Sequence, residues 1–185
     1  MRAFVAIPLP PELLAAAAGV ARGLAHEERE WRVARDDGLH LTLRFLGQVD
    51  PDRLAAIDAP LAAAAQVTPV LELTVRGAGA FPTAKRPRVL WLGVDERRPG
   101  GALAALAARL EEVARGAGFA PETRPFFPHV TLARARADRA RVSGLEEVGS
   151  LGTFVVAEVV LFRSVLGPGG ARYAIERRYP LGTPP

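Results

Sequence analysis

Three histidines occur in this chain, and two of them open the same pattern of His, apolar, Thr, Leu. His40 begins the stretch HLTLRFLG and His129 begins HVTLARAR. Side chains alternate faces along an extended strand. His40 and Thr42 then point one way, with Leu41 and Leu43 opposite. His129 and Thr131 likewise share a face, away from Val130 and Leu132. Each strand buries its aliphatic residues and presents an imidazole beside a hydroxyl. An imidazole titrates near neutrality, with an ordinary pKa of about 6.5. One neutral and one protonated ring supply a base and an acid together, each role typically worth about 10²–10⁴-fold in rate. In-line displacement at phosphorus needs a base on the attacking side and an acid on the leaving side. Threonine hydroxyls can donate to the non-bridging oxygens, and arginines add fixed charge.

A lone histidine in an apolar strand reads as a satisfied structural residue, and a lone threonine as ordinary strand propensity. Recurrence of the pair at equivalent points outweighs that reading. A metal site would need carboxylates to complete a shell around two histidines, and neither motif carries an acid. No metal and no cofactor is therefore expected. His26, within AHEERE, reads as solvated surface.

The elements that must position these groups follow from hydrophobic period and turn chemistry. RAFVAIP (residues 2–8) reads as a buried strand, and Pro10 and Pro11 open a helix with Leu13, Leu14, Ala17, Ala21 and Leu24 at helical spacing. A strand or loop at WRV, an Asp-Asp-Gly turn and the first His-Thr strand come next. Asp50 before Pro51 marks a helix start, although Pro60 should kink or split that helix. VLELTVR alternates as a half-buried strand, GAGAFPTAKRP reads as a loop, and RVLWLGV as a strand. A helix after Gly100 and Gly101 carries Leu103, Leu106, Leu110 and Val113 and leads to the second His-Thr strand. Residues 137–148 allow a short helix. TFVVAEVVLFRS reads as a long β-rich run, GPGG as a turn and ARYAIERRY as the last strand.

Strand, helix, His-Thr strand, helix, strand occurs from residue 2 to 77 and recurs, less cleanly, from 88 to 163. The expected fold class is α+β: a single domain, 1–185, made of two pseudo-repeats of about 1–77 and 88–180. If the two lobes are related by an approximate two-fold, the imidazoles can face one another across a cleft.

Length and composition bound the rest. The chain has 185 residues, nearly half of them apolar, and a net charge of +4. No apolar run approaches the roughly 18 residues that cross a membrane. The start, MRAFVAIPLPPE, is too short for a signal peptide, so a cytoplasmic protein is expected. Without cysteine, disulfides, zinc-thiolate sites and thiol nucleophiles are excluded. Lys85 is the only lysine. Arginine is the cation suited to gripping two phosphate oxygens at once, although its abundance here also fits a GC-rich genome.

HLTLRFLG and PHVTLARAR together resemble the signature of the 2H phosphoesterase superfamily, and within it the RNA 2′,3′-cyclic phosphodiesterases, historically called 2′–5′ RNA ligases. RAFVAIPLP, GAGAFP, VLWLGV and LFRSVLGPGGARY extend the resemblance over nearly the whole chain. It implies a bilobal fold, each lobe with its own antiparallel or mixed sheet and helices on the outer face, and the catalytic cleft between the lobes. The reaction implied is metal-independent opening of an RNA terminal 2′,3′-cyclic phosphate to a 2′-phosphate. By the same resemblance His40 is the proton donor to the leaving 3′-oxygen, His129 is the acceptor that activates water, and Thr42 and Thr131 hold the phosphate. The spacing alone does not choose between the two histidines. Arg134 resembles the family's arginine after the second motif and is assigned to phosphate, although a regular strand would turn it away from His129. Phe45 and Phe127 are candidates for stacking on a base, and Arg136 for substrate contact. Phe45 shares the parity of Leu41 and Leu43, which reads as core unless the strand ends or bulges. Arg44 shares the face of His40 and Thr42, with a plain reading as an arm extending to solvent.

RNA ends bearing cyclic phosphates, tRNA fragments among them, are the expected partner, with no membrane and a monomeric protein. Three alternatives stay open: ATP-independent 2′–5′ RNA joining by the reverse reaction, hydrolysis of small cyclic nucleotides, and an RNA-binding protein without activity. No GxxxxGK loop suggests use of ATP.

Overall fold

A computed structural model describes residues 1–26, 29–98, 100–136, 138, 140–167 and 170–182. It is α+β, with three helices and nine strands in one sheet. The strands are β1 (Arg2–Pro8), β2 (Trp31–Val33), β3 (His40–Gln48), β4 (Leu71–Thr83), β5 (Arg86–Glu96), β6 (His129–Ala135), β7 (Ser150–Val156), β8 (Glu158–Gly167) and β9 (Gly170–Pro180). The helices are α1 (Pro11–Leu24), α2 (Pro51–Gln66) and α3 (Ala102–Gly116). No helix among the described residues is long and apolar enough to cross a membrane.

The sheet order is β7-β4-β5-β6-β3-β1-β8-β9, with β2 also on β6, and every strand pairing is antiparallel. The two expected sheets are thus one, joined at β3 and β6. The pattern around that join is symmetric: β6, β5, β4, β7 on one side mirror β3, β1, β8, β9 on the other. The pseudo-repeats do not each own a side. β4 comes from the first half of the chain yet flanks β5, and β8 comes from the second half yet flanks β1. The helices cross over as well: α1 packs on β6 and β7, and α3 packs on β3.

One face of the sheet and the three helices enclose the core. Val5, Leu41, Leu90, Leu92, Val130 and Leu132 from the strands meet Ala17, Ile57, Leu61, Leu106 and Leu110 from the helices, all but removed from water. The helix starts follow local chemistry. The Asp50 carboxylate accepts from the Arg53 backbone N–H at 2.8 Å, capping α2. Pro60 does not split α2, which runs unbroken to Gln66. Pro60 and Ala56 lie on the exposed side of the helix, where the carbonyl that loses its partner can bond water.

A further expectation changes. GAGAFPTAKRP is not a loop: β4 runs to Thr83 and pairs with β5 along almost its full length. A bulge at Gly77, whose φ is +66°, absorbs the irregularity. TFVVAEVVLFRS holds two strands, separated at Ala157. β7 lies at one edge of the sheet and β8 beside β1 on the far side of the join. Among the described residues of 137–148 there is one 3₁₀ turn, Leu145–Glu147. Pro168 and Gly169 of the expected GPGG turn lie outside the described residues.

Candidate active site

The join between the two halves of the sheet is where the histidines sit. Leu41 pairs with Val130, so the antiparallel register sets His40 beside Thr131 and Thr42 beside His129. A local two-fold through the Leu41–Val130 pair relates the motifs. Both aliphatic residues are fully buried on the helix side. His40, Thr42, His129 and Thr131 all line one cleft of about 660 Å³ on the other face.

Each imidazole is held in the same way. His40 Nδ1 lies 2.7 Å from the Gly38 carbonyl oxygen, and His129 Nδ1 lies 2.7 Å from that of Phe127. A carbonyl only accepts, so each Nδ1 carries a proton and donates, which leaves Nε2 of each ring for the cleft. Aromatic side chains fix the ring planes. His40 stacks on Phe4 at 4.7 Å between centroids and meets the edge of Tyr173 at 5.1 Å. His129 meets Phe81 edge-on at 5.2 Å and lies 6.0 Å from Phe127. Gly79 gives Trp91 its place beside this second group, because a Cβ there would run into the indole.

Burial lowers both histidine pKa values. His40 is pushed down to about 4, chiefly by burial, with a smaller contribution from the charge of His129 and an opposing one from the Gly38 hydrogen bond. His129 is lowered by burial and by Arg134, against the hydrogen bond to Phe127. Both shifts favour the neutral form of the ring.

Both His-Thr strands bulge at the same place. In β3 the partners of Val5 and Ala6 are Arg44 and Thr42, so Leu43 is the extra residue. In β6 the partners of Leu90 and Trp91 are Ala133 and Thr131, so Leu132 is extra. Two successive residues of each strand therefore point to the core, and the parity beyond them is reversed. The fifth residue after each histidine comes round to the cleft: Phe45 after His40, Arg134 after His129. Phe45 is 48% exposed, so the core reading of its parity is corrected. Arg134 lines the cleft, contrary to the regular-strand expectation.

The bulge turns Arg44 inward. It is only 5% exposed, and its Nε lies 2.5 Å from Glu111 Oε2 of α3. Its other nitrogens donate to the carbonyls of Phe45 and Ala120. Arg44 ties β3 to α3 and does not reach solvent. Arg136 is also outside the cleft lining. Its Nε donates to the Trp31 carbonyl at 2.9 Å, fastening β2 beside β6. Phe127, 46% exposed, stands at the rim against Trp91 and His129.

Sequence reasoning missed Phe4, Phe162 and Tyr173 around His40, and Phe81 and Trp91 around His129. One signal was available. RAFVAIP is apolar at both parities, so its strand needs cover on both faces, and Phe4 covers the cleft face. Arg2, Arg32 and Arg35 also line the cleft, and no carboxylate among the described residues does. The site is built for an anion.

The sequence model of the 2′-5′ RNA ligase superfamily matches residues 9–167, which include both motifs. The chain belongs to that superfamily. Relatives in it include the RNA 2′,3′-cyclic phosphodiesterase of Aeropyrum pernix, 38% identical over 157 residues that cover 81% of this chain and 86% of the relative. That of Methanothermobacter thermautotrophicus is 32% identical over 178 residues, covering 94% and 95%. Among solved structures, Escherichia coli LigT in complex with 3′-AMP superposes with a TM-score of 0.81 at 31% identity, covering 97% of each chain. A crystal structure from Thermus thermophilus reaches 0.85 at 28% identity, covering 99% of each. Both solved structures superpose over almost the whole of this chain, not only over the two motif strands.

Proposed function

We propose that this protein hydrolyses the terminal 2′,3′-cyclic phosphate of RNA to a 2′-phosphate, with His129 as base and His40 as acid. The observation that carries this reading is the two-fold pair of imidazoles, each donating from Nδ1 to a backbone carbonyl and offering Nε2 to one anion-binding cleft. His129 Nε2 accepts a proton from water as its oxygen attacks phosphorus. The bond from phosphorus to the 3′-oxygen breaks, and His40 Nε2–H protonates that oxygen. Thr42, Thr131 and Arg134 bind the non-bridging oxygens.

An acid needs a proton, and burial disfavours the charged form of His40. The phosphodiester resolves the conflict, because an anion within hydrogen-bonding distance favours the charged imidazole. His40 therefore takes up its proton with the substrate. The lowered pKa of His129 suits a base that must be neutral at the start.

RNA fragments with cyclic ends, tRNA fragments among them, are the proposed substrates, with the terminal base on Phe45. Exposed Phe127 beside His129 supports a second reading. A nucleoside 5′-hydroxyl stacked there would replace water, and the same proton transfers would join RNA through a 2′–5′ bond.

The test is incubation, in EDTA, with an oligonucleotide ending in a 2′,3′-cyclic phosphate, followed by identification of the terminal phosphate. A 2′-phosphate product is expected, with His40→Ala and His129→Ala each lowering kcat by about 10²–10⁴-fold. Undiminished turnover in either variant would remove the acid–base scheme.

A further inference from the structure

Among the described residues, nine arginines are ion-paired with a carboxylate, including Arg35 of the cleft with Asp37 at 3.0 Å. Arg32 and Arg134 are not among them, and neither is Arg2 of the cleft. Arg32 and Arg134 are register partners on β2 and β6, so their side chains rise next to each other from the cleft face. Both are exposed and both line the cleft. Neither has an acidic partner among the described residues. Like charges directly opposite on a strand pair repel, and this pair sits in a lining without a carboxylate. The structure holds the pair in place all the same: Arg136 donates to the Trp31 carbonyl, and the Ala34 N–H donates to the Leu132 carbonyl at 2.8 Å, on either side of Arg32.

The two arginines do not stand at the same depth. Arg134 is on a motif strand, three residues beyond Thr131. Arg32 is one strand further out from the histidines. A single phosphate between the imidazoles is already served by Thr42, Thr131 and Arg134. The pseudo-two-fold makes Arg134 the mate of Phe45, and Arg32 lies beside Arg134 on the β6 side of the cleft. A cyclic phosphate at an RNA terminus is followed along the chain by the 5′-phosphate of the same nucleotide. We infer that Arg32, beside Arg134, forms a second phosphate subsite that binds this 5′-phosphate and makes the protein prefer a polynucleotide end to a lone nucleoside phosphate. The identity of the ligand rests on the phosphodiesterase reading; the anion subsite rests on the arginine pair.

Binding of two probes measures it without turnover: adenosine 3′-phosphate and adenosine 3′,5′-bisphosphate, titrated by calorimetry into the intact protein. The wild type should bind the bisphosphate about tenfold or more tightly, the worth of a charge-assisted phosphate contact. Arg32→Ala should abolish that preference, and Arg32→Lys should keep part of it, since a point charge replaces a fork. Equal affinities in the wild type would overturn the subsite. So would a preference that survives in Arg32→Ala, or an equal loss for both probes, which would assign Arg32 to the first phosphate or to the fold. If the preference appears and depends on Arg32 while cyclic phosphates are left intact, the subsite stands and the hydrolase reading falls.

Discussion

At the residue scale, each histidine is defined by three contacts: a carbonyl two positions back, an aromatic face or edge, and the opposite motif across the strand pair. The carbonyl is the decisive one, because it settles which nitrogen can take part in proton transfer. The depressed pKa values have a consequence for stability. An unfolded histidine titrates near 6.5, whereas native His40 resists protonation down to about 4. Between those values the unfolded chain binds more protons than the native one, so stability falls as pH falls. For His40 alone the loss is up to about 3 kcal/mol, since each tenfold difference in proton affinity between the two states is worth about 1.4 kcal/mol. His129 adds in the same direction. Urea unfolding at pH 7 and pH 4.5 should show it, and His40→Gln should be distinctly less pH-sensitive than the wild type. Equal pH sensitivity in the two proteins would contradict a buried neutral ring at this position.

At the element scale, the bulges explain what the sequence shows and what it hides. His40, Thr42, His129 and Thr131 were legible because two-residue alternation holds from each histidine to its threonine. It fails at the next residue in both strands. Strict alternation therefore sends Phe45 to the core, Arg134 away from His129 and Arg44 to the face of His40, each on the wrong side. A bulge has no reliable side-chain signature when the extra residue is a leucine. The inward turn of Arg44 is balanced by Glu111, so breaking that pair has a definite cost. Glu111→Ala leaves a buried guanidinium without its counter-ion and should destabilise the fold by roughly 3 kcal/mol. Arg44→Met combined with Glu111→Leu should recover most of that loss, as chemical denaturation of the single and double variants would show. A double variant no better than the single one would mean that the carbonyls of Phe45 and Ala120, not Glu111, set the requirement for Arg44.

At the scale of the molecule, the repeat could be read from the order of elements, but its wiring could not. TFVVAEVVLFRS gives no warning that the chain leaves one edge of the sheet at Ala157 and resumes on the other side of the join. β propensity is the same on both sides, and only the pairing partners differ. The charge of the cleft, by contrast, fits the arginine-rich composition: arginines line it, and among the described residues no carboxylate does. Association with RNA should therefore weaken with salt. Contacts to two or three phosphates of a single strand imply a slope of about −1.4 to −2 in log affinity against log salt. Fluorescence anisotropy with a labelled oligonucleotide and the His129→Ala variant would give that slope, and a value near zero would take phosphate contacts out of the binding account.

The exchange of outer strands also bears on how the protein is made. β1 is synthesised well before the neighbour on its outer edge, β8, which follows only after residue 157. Until β8 has been made, that edge has its hydrogen-bonding groups open, a known hazard for strand-mediated association. His40 waits on β3 for the same reason, since the threonine beside it arrives with β6. Catalytic competence cannot accumulate half by half as the chain emerges. It appears at the close of folding, when the two sets of strands meet along a single line.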